Sequence, residues 1–96
     1  MKIIDSFIDW LGVQKRYSPR TLVLYRSAVD EFYAHIFPEG EIEAGEEISV
    51  LTPLNIRGFI AGGLESGLSA RTMNLKLAAL SSYCSYLMKQ GVIPSN

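Results

Sequence analysis

Cysteine and histidine each occur only once in this sequence, and long apolar runs are missing. A single cysteine excludes a disulfide within the chain, and no Cys/His cluster has the spacing of zinc ligands. No apolar stretch approaches the roughly 20 residues of a membrane-spanning helix. With no histidine placed to activate the cysteine, the chain has no self-sufficient active site. We therefore predict a cytoplasmic chain without metal, cofactor or membrane contact, with His35 on the surface and Cys84 in the core.

The net charge of −1 conceals a strong segregation of charge along the chain. Residues 14–26 contain four basic residues and no acid, and residues 66–96 contain three basic residues and no acid. Residues 27–65 contain eight acids and a single arginine. If the two basic segments meet on one face, that face can bind an anion such as the backbone of a nucleic acid. Segregation of this kind also arises by chance in small domains.

A short motif is repeated within the two basic segments. Residues 18–24 read SPRTLVL and residues 69–75 read SARTMNL. A serine before a helix caps the free backbone amides, and Pro19 suits the first helical position. Arginine and threonine in the first turn add a cation and a hydroxyl to the positive end of the helix, which favours phosphate binding. The alternative is two well-capped helices with solvated arginines.

Apolar residues spaced three or four positions apart predict an all-α fold of four helices. The capping serines, a Thr52-Pro53 pair and glycines 67 and 91 indicate where these helices begin and end. The result is a bundle of two helical hairpins, with the repeated motif at the start of the second helix of each. The four helices are expected over residues 2–15, 19–37, 53–66 and 70–90.

The segment between the hairpins has no helical period. Residues 38–51 contain five acids and two glycines, which predicts a solvated loop with a short extended piece at residues 48–51. In the last helix, the apolar residues that recur with helical spacing are expected to be buried. They are Met73, Leu77, Leu80, Cys84 and Leu87.

Several motifs in order resemble the N-terminal core-binding domain of tyrosine recombinases and phage-type integrases, in the style of their compact Xer-like members. The resemblance covers essentially the whole chain and implies a SAM-like four-helix bundle. In that family the bundle forms half of a C-shaped clamp around duplex DNA, with the second helix of each hairpin at the major groove. The motifs are FIDWL (7–11), YSPRTLVLY (17–25), FY (32–33), GLSARTMN (67–74), LAALSSYCSYL (77–87) and GVIPSN (91–96).

The resemblance also implies which residues contact DNA. Residues 1–91 would be the DNA-recognition domain, and residues 92–96 would begin a linker to a C-terminal catalytic domain absent from this chain. The family's catalytic residues lie in that other domain and none matches here, so no catalysis is expected of this chain. The implied contacts are Arg20, Thr21, Arg71 and Thr72 with the DNA backbone, and Leu24, Ser27, Asn74 and Lys76 in the groove.

By resemblance, the intact protein would be a site-specific recombinase that cuts and rejoins DNA through a covalent phosphotyrosine. Its partners would be double-stranded DNA and the other recombinase subunits of a tetramer, with no small-molecule substrate. A second hypothesis comes from a different class of protein. The chain could be a SAM-like helical module for protein–protein interaction, binding through its second and fourth helices or through the acidic loop.

Overall fold

A computed structural model describes residues 2–94, and within them the chain is helical and contains no strand. The predicted all-α bundle is confirmed, and each long helix begins and ends within one residue of its prediction. One additional short helix lies in the segment predicted as a loop. The helices are α1 (Ile3–Gln14), α2 (Pro19–Ile36), α3 (Glu46–Ser49), α4 (Pro53–Glu65) and α5 (Ala70–Lys89). None of these five helices is long and apolar enough to cross a membrane.

The long helices form two hairpins, α1 with α2 and α4 with α5. In the first, Leu22 packs on Gly12 close to the turn. In the second, Met73 packs so closely on Gly63 that a Cβ at position 63 would lie 2.5 Å from the methionine sulfur. Glycine at this position therefore lets α4 and α5 approach each other at the hairpin turn.

The segment between the hairpins differs from its prediction. Residues 48–51 were expected to be extended, but Glu46–Ser49 form the one-turn helix α3. Gly45 precedes it with φ 90°, a left-handed conformation that glycine adopts without strain. The Tyr33 hydroxyl donates a hydrogen bond to the Glu47 carbonyl, and apolar residues after it pack on the core. A single turn is too short to show an apolar period, so the sequence pattern could not reveal this helix.

Aromatic rings form the centre of the core. Phe7 of α1 contacts Tyr83 and Tyr86 of α5, with ring centroids 5.0 and 5.5 Å apart. Phe32 of α2 meets Phe59 of α4 edge-on at 5.8 Å. These contacts join both hairpins into one core, in which each fully buried large side chain contributes about 1.5–3 kcal/mol. The other buried residues are Leu11, Tyr25, Ala28, Val29, Met73, Ala79, Leu80 and Leu87.

Predictions for individual side chains were partly right. His35 is on the surface as expected, but Leu77 is 40% exposed and Cys84 is only half-buried, so their assignment to the core was wrong. Tyr83 and Tyr86 are buried in their place. The reason is that α5 packs against α1 as well as against α2 and α4. The buried face of α5 therefore includes the side of the helix that carries Tyr83 and Tyr86. The predicted apolar stripe of α5 contained no aromatic residue and therefore did not include these two tyrosines.

After α5 the chain turns back towards the last turn of that helix. Gly91 has φ 73°, and the Val92 amide donates to the Leu87 carbonyl at 2.9 Å. Ile93 packs against the core. The predicted linker of residues 92–96 therefore begins beside the bundle, and its last two residues, Ser95 and Asn96, lie outside the described residues.

Candidate nucleic-acid interface

The repeated motif makes the same hydrogen bonds at the start of α2 and of α5. The Ser18 hydroxyl accepts a hydrogen bond from the Thr21 amide at 3.2 Å and lies 3.0 Å from the Thr21 hydroxyl. Ser69 does the same with Thr72, at 3.1 and 3.0 Å. Both predicted caps are therefore present, and they leave other first-turn amides without a partner in the helix.

The two arginines of the motif, Arg20 and Arg71, are exposed. Within residues 2–94 neither arginine forms an ion pair, and neither first turn contains an acid. Each helix start therefore combines the positive end of a helix dipole with an uncompensated guanidinium. This combination can hold a phosphate through charge-assisted hydrogen bonds.

The two helix starts lie at different ends of the bundle. The start of α2 is beside the end of α1, where the Tyr17 amide donates to the Leu11 carbonyl at 3.2 Å. The end of α1 in turn contacts the far end of α5, where Trp10 lies 5.3 Å from Tyr86. Tyr86 is about 24 Å along α5 from its first residue. A ligand that touches both starts must therefore be extended, as a duplex is.

An ion pair joins α2 and α5 between the two starts. The Lys76 ammonium lies 2.5 Å from the Glu31 carboxylate, and the side chains are 14% and 49% exposed. Lys76 is one of the residues predicted to face the groove, and its charge is compensated in the free chain. In the other basic segment, Arg26 binds Asp5 at 2.6 Å and holds the pKa of that carboxyl below its usual value.

The exposed sides of α2 and of α5 are weakly polar. Val23 and Leu24 of α2 are 64% and 40% exposed, and Ser27 is exposed beside them. On α5, Asn74 and Ala78 are exposed. The residues predicted from the resemblance to face a groove are therefore accessible, apart from Lys76. Small and uncharged side chains here let another surface approach closely.

One cluster near this surface was not singled out from the sequence. Trp10 of α1 has the Lys15 ammonium 5.4 Å and the Lys89 ammonium 5.3 Å from its ring centroid. Lys15 follows the last residue of α1, and Lys89 is the last residue of α5. The five-residue spacing of Trp10 and Lys15 is visible in the sequence, but only the fold brings Lys89 to them.

Residues 4–91 match the family model of the phage integrase, N-terminal SAM-like domain. The chain belongs to this family. The match begins in the first turn of α1 and extends past the end of α5, so all four long helices of the SAM-like domain are included. The family membership predicted from the sequence motifs is confirmed. The eight residues predicted to contact DNA are not identified by this match, and they stay predictions.

The relatives of this SAM-like domain are longer proteins. The chain is 33% identical over 93 residues to the tyrosine recombinase XerC of Bacillus subtilis (strain 168) and 36% identical over 93 residues to a protein of that name from Thermodesulfovibrio yellowstonii. Each comparison covers 97% of this chain but 29% and 28% of the respective relative. The chain thus spans less than a third of the relatives' length. No solved structure gives a significant match.

Proposed function

We propose that this chain is the DNA-binding domain of a site-specific tyrosine recombinase or integrase, and that it holds duplex DNA with α2 and α5 during strand exchange. The family and the names of the relatives support this class of protein. The observation that carries the proposal is the pair of Ser-x-Arg-Thr helix starts, each with an arginine that forms no ion pair within residues 2–94. Binding to two backbone points of one duplex explains why the motif occurs twice.

The proposed contacts divide into two kinds. Phosphate contacts position a protein on DNA, whereas contacts with base edges specify the sequence. The exposed Asn74 amide can both donate to and accept from an adenine in the major groove. Lys76 can contribute a cation when Glu31 releases it. The backbone contacts are Arg20, Thr21, Arg71 and Thr72, and the groove contacts are Leu24, Ser27, Asn74 and Lys76.

We assign the chain a binding role and no chemical step. A tyrosine nucleophile benefits from a lowered pKa, but burial raises the pKa of Tyr25, Tyr33 and Tyr83 by desolvating the phenolate. In the whole protein, a separate domain would cut and rejoin DNA through a phosphotyrosine. The subunits would act in the cytoplasm, as a tetramer assembled on the DNA.

The proposal is tested by fluorescence anisotropy with a labelled duplex of about 25 base pairs, measured at several salt concentrations. The double variant Arg20→Gln/Arg71→Gln removes the guanidinium groups of the two repeated motifs. We expect it to weaken binding at least tenfold and to reduce the slope of log K against log salt by about 1.8, because each lost phosphate contact contributes roughly 0.9.

The matched control is Lys2→Gln/Arg57→Gln, which removes the same charge from exposed positions on α4 and before α1. We expect it to change affinity less than threefold. Binding that is insensitive to salt, or an equal loss of DNA affinity in the two double variants, would contradict the proposal.

A specific observation also favours the second candidate function, protein–protein interaction. An apolar groove of about 640 Å³ lies between α3, the start of α4 and the second half of α5. Ile48, Leu51, Ile56, Cys84 and Met88 are among the residues that line it. Sedimentation velocity without DNA tests this candidate. Self-association at micromolar concentration that is lost in Ile56→Asp would favour it.

A further inference from the structure

The Trp10 cluster holds two cations against one ring. Within residues 2–94 neither Lys15 nor Lys89 forms an ion pair, and both lysines are exposed. A cation–π contact at an exposed site contributes about 0.5–1 kcal/mol, while the two ammonium groups repel each other. An anion bound at either ammonium group would neutralise a positive charge that has no ion-pair partner within residues 2–94. The two ammonium groups therefore give this cluster the positive charge that binding an anion requires.

Lys89 lies on the same side of α5 as Arg71. The two residues are 18 positions apart, which is five full helical turns and about 27 Å at 3.6 residues per turn and 1.5 Å per residue. Ala78 and Ser85, which lie between them near the same side, are exposed and small. One face of α5 thus has a cation at each end and small residues between.

Lys15 connects this face to the start of α2. It lies three positions before Ser18, in a turn where Arg16 has φ 54°. A left-handed conformation is uncommon for arginine, and the Tyr17–Leu11 hydrogen bond holds the turn in place. The cluster is therefore continuous with one of the two proposed phosphate contacts.

We propose that Trp10, Lys15 and Lys89 form an additional contact for the DNA backbone, in which the two ammonium groups bind phosphate oxygens and the ring fixes their positions. The inference rests on the proposed function and extends the interface along the whole of α5. The separation of about 27 Å between Arg71 and Lys89 is shorter than one turn of duplex, about 34 Å. One duplex lying along α5 can therefore reach both ends.

The first test uses the same anisotropy assay on the 96-residue chain with Lys15→Gln/Lys89→Gln. We expect affinity at low salt to fall about tenfold and the salt slope to decrease by up to about 1.8, as for two lost phosphate contacts. Lys15→Arg/Lys89→Arg keeps both charges and is expected to keep the slope. Lys2→Gln/Arg57→Gln again serves as the control for net charge.

Trp10 provides a second readout, because it is the only tryptophan in the chain. We expect its fluorescence emission to change when unlabelled duplex is added. At saturating DNA the change should persist in Arg20→Gln/Arg71→Gln and be lost in Lys15→Gln/Lys89→Gln. Circular dichroism of each variant checks that the helices are retained.

The outcomes separate this inference from the proposed function. If the wild type binds DNA and loses affinity with Arg20→Gln/Arg71→Gln, but Lys15→Gln/Lys89→Gln behaves like the charge control, the inference is wrong and the function stands. If the wild type shows no salt-dependent binding, both fail. If the lysine variant instead abolishes self-association of the chain without DNA, the cluster binds an acidic surface of a second copy and the inference is overturned.

Discussion

At the scale of single residues, the Tyr33 hydroxyl is the group with the most specific surroundings. It donates a hydrogen bond to the Glu47 carbonyl in α3 and lies near the Tyr83 phenol of α5. Burial raises the pKa of both tyrosines, because an anionic phenolate would be poorly solvated there. This hydroxyl therefore attaches the acidic loop, through α3, to α2.

We expect Tyr33→Phe to destabilise the fold by about 1 kcal/mol, the usual net value of a hydrogen bond. Urea denaturation measures this change. Hydrogen exchange should also become faster over residues 46–51, because α3 loses its attachment. Tyr86→Phe is the matched control, since the Tyr86 hydroxyl makes no hydrogen bond within residues 2–94. Equal losses in the two variants would show that the Tyr33 bond is not the cause.

The same tyrosines predict how stability depends on pH. Unfolded tyrosines ionise near pH 10, whereas Tyr33 and Tyr83 keep their protons to higher pH in the folded chain. The folded state therefore binds more protons above pH 10, and stability falls as pH rises there. We expect the urea midpoint to decrease between pH 9.5 and 11, and to decrease less in Tyr33→Phe. An unchanged pH dependence in the variant would refute this assignment.

At the scale of the helix, the start of α5 combines a structural role with the proposed binding role. The Ser69 hydroxyl caps the helix, while Arg71 two residues later makes no ion pair within residues 2–94. The two roles are carried by different side chains. They can therefore be separated by substitution.

Ser69→Ala is expected to cost about 1 kcal/mol of unfolding free energy, because the Thr72 amide loses its acceptor. Ser85→Ala in the same helix is the control, since within residues 2–94 this exposed serine has no such bond and alanine favours the helix interior. Thermal denaturation compares the two. Arg71→Gln should leave stability unchanged while weakening DNA binding. Loss of stability in Arg71→Gln but not in Ser69→Ala would show that Arg71, and not Ser69, has the structural role.

The helices could be predicted from the sequence because caps and apolar spacing are local signals. Ser18 and Ser69 determine where two helices begin, and that information lies within three residues of each. Three features depended on the tertiary packing instead. Helix α3 is one turn held by Tyr33, the buried face of α5 is set by three neighbouring helices, and Lys89 reaches Trp10 only in the folded chain.

At the scale of the whole molecule, positive charge without an ion pair within residues 2–94 lies at both ends of α5 and before and at the start of α2, although the net charge is −1. Among the basic residues of the two acid-free segments, Arg26 and Lys76 are compensated by acids on other helices. Within residues 2–94, the cations of these segments without ion pairs are Arg20 and Arg71 at the helix starts, Lys15 and Lys89 in the Trp10 cluster, and Arg16 in the turn before α2. The Glu31 carboxylate therefore lies between the two ends of the proposed DNA surface.

Glu31→Gln tests this charge arrangement. The Lys76 side chain is only 14% exposed, and a largely buried charge that loses its partner is destabilising, so we expect the unfolding free energy to decrease by about 1–3 kcal/mol. DNA binding should tighten several-fold at low salt, because a carboxylate is removed from the interface and the Lys76 ammonium is released. If Lys76 then binds a phosphate, the salt slope should increase by about 0.9.

The matched control for Glu31→Gln is Glu41→Gln, which makes the same charge change on the exposed loop. Since long-range effects of net charge are common to both variants, only a local role of Glu31 can separate them. Lys76→Gln combined with Glu31→Gln should then remove the gain in salt slope. Equal tightening in both single variants would mean that net charge, and not the release of Lys76, controls the affinity.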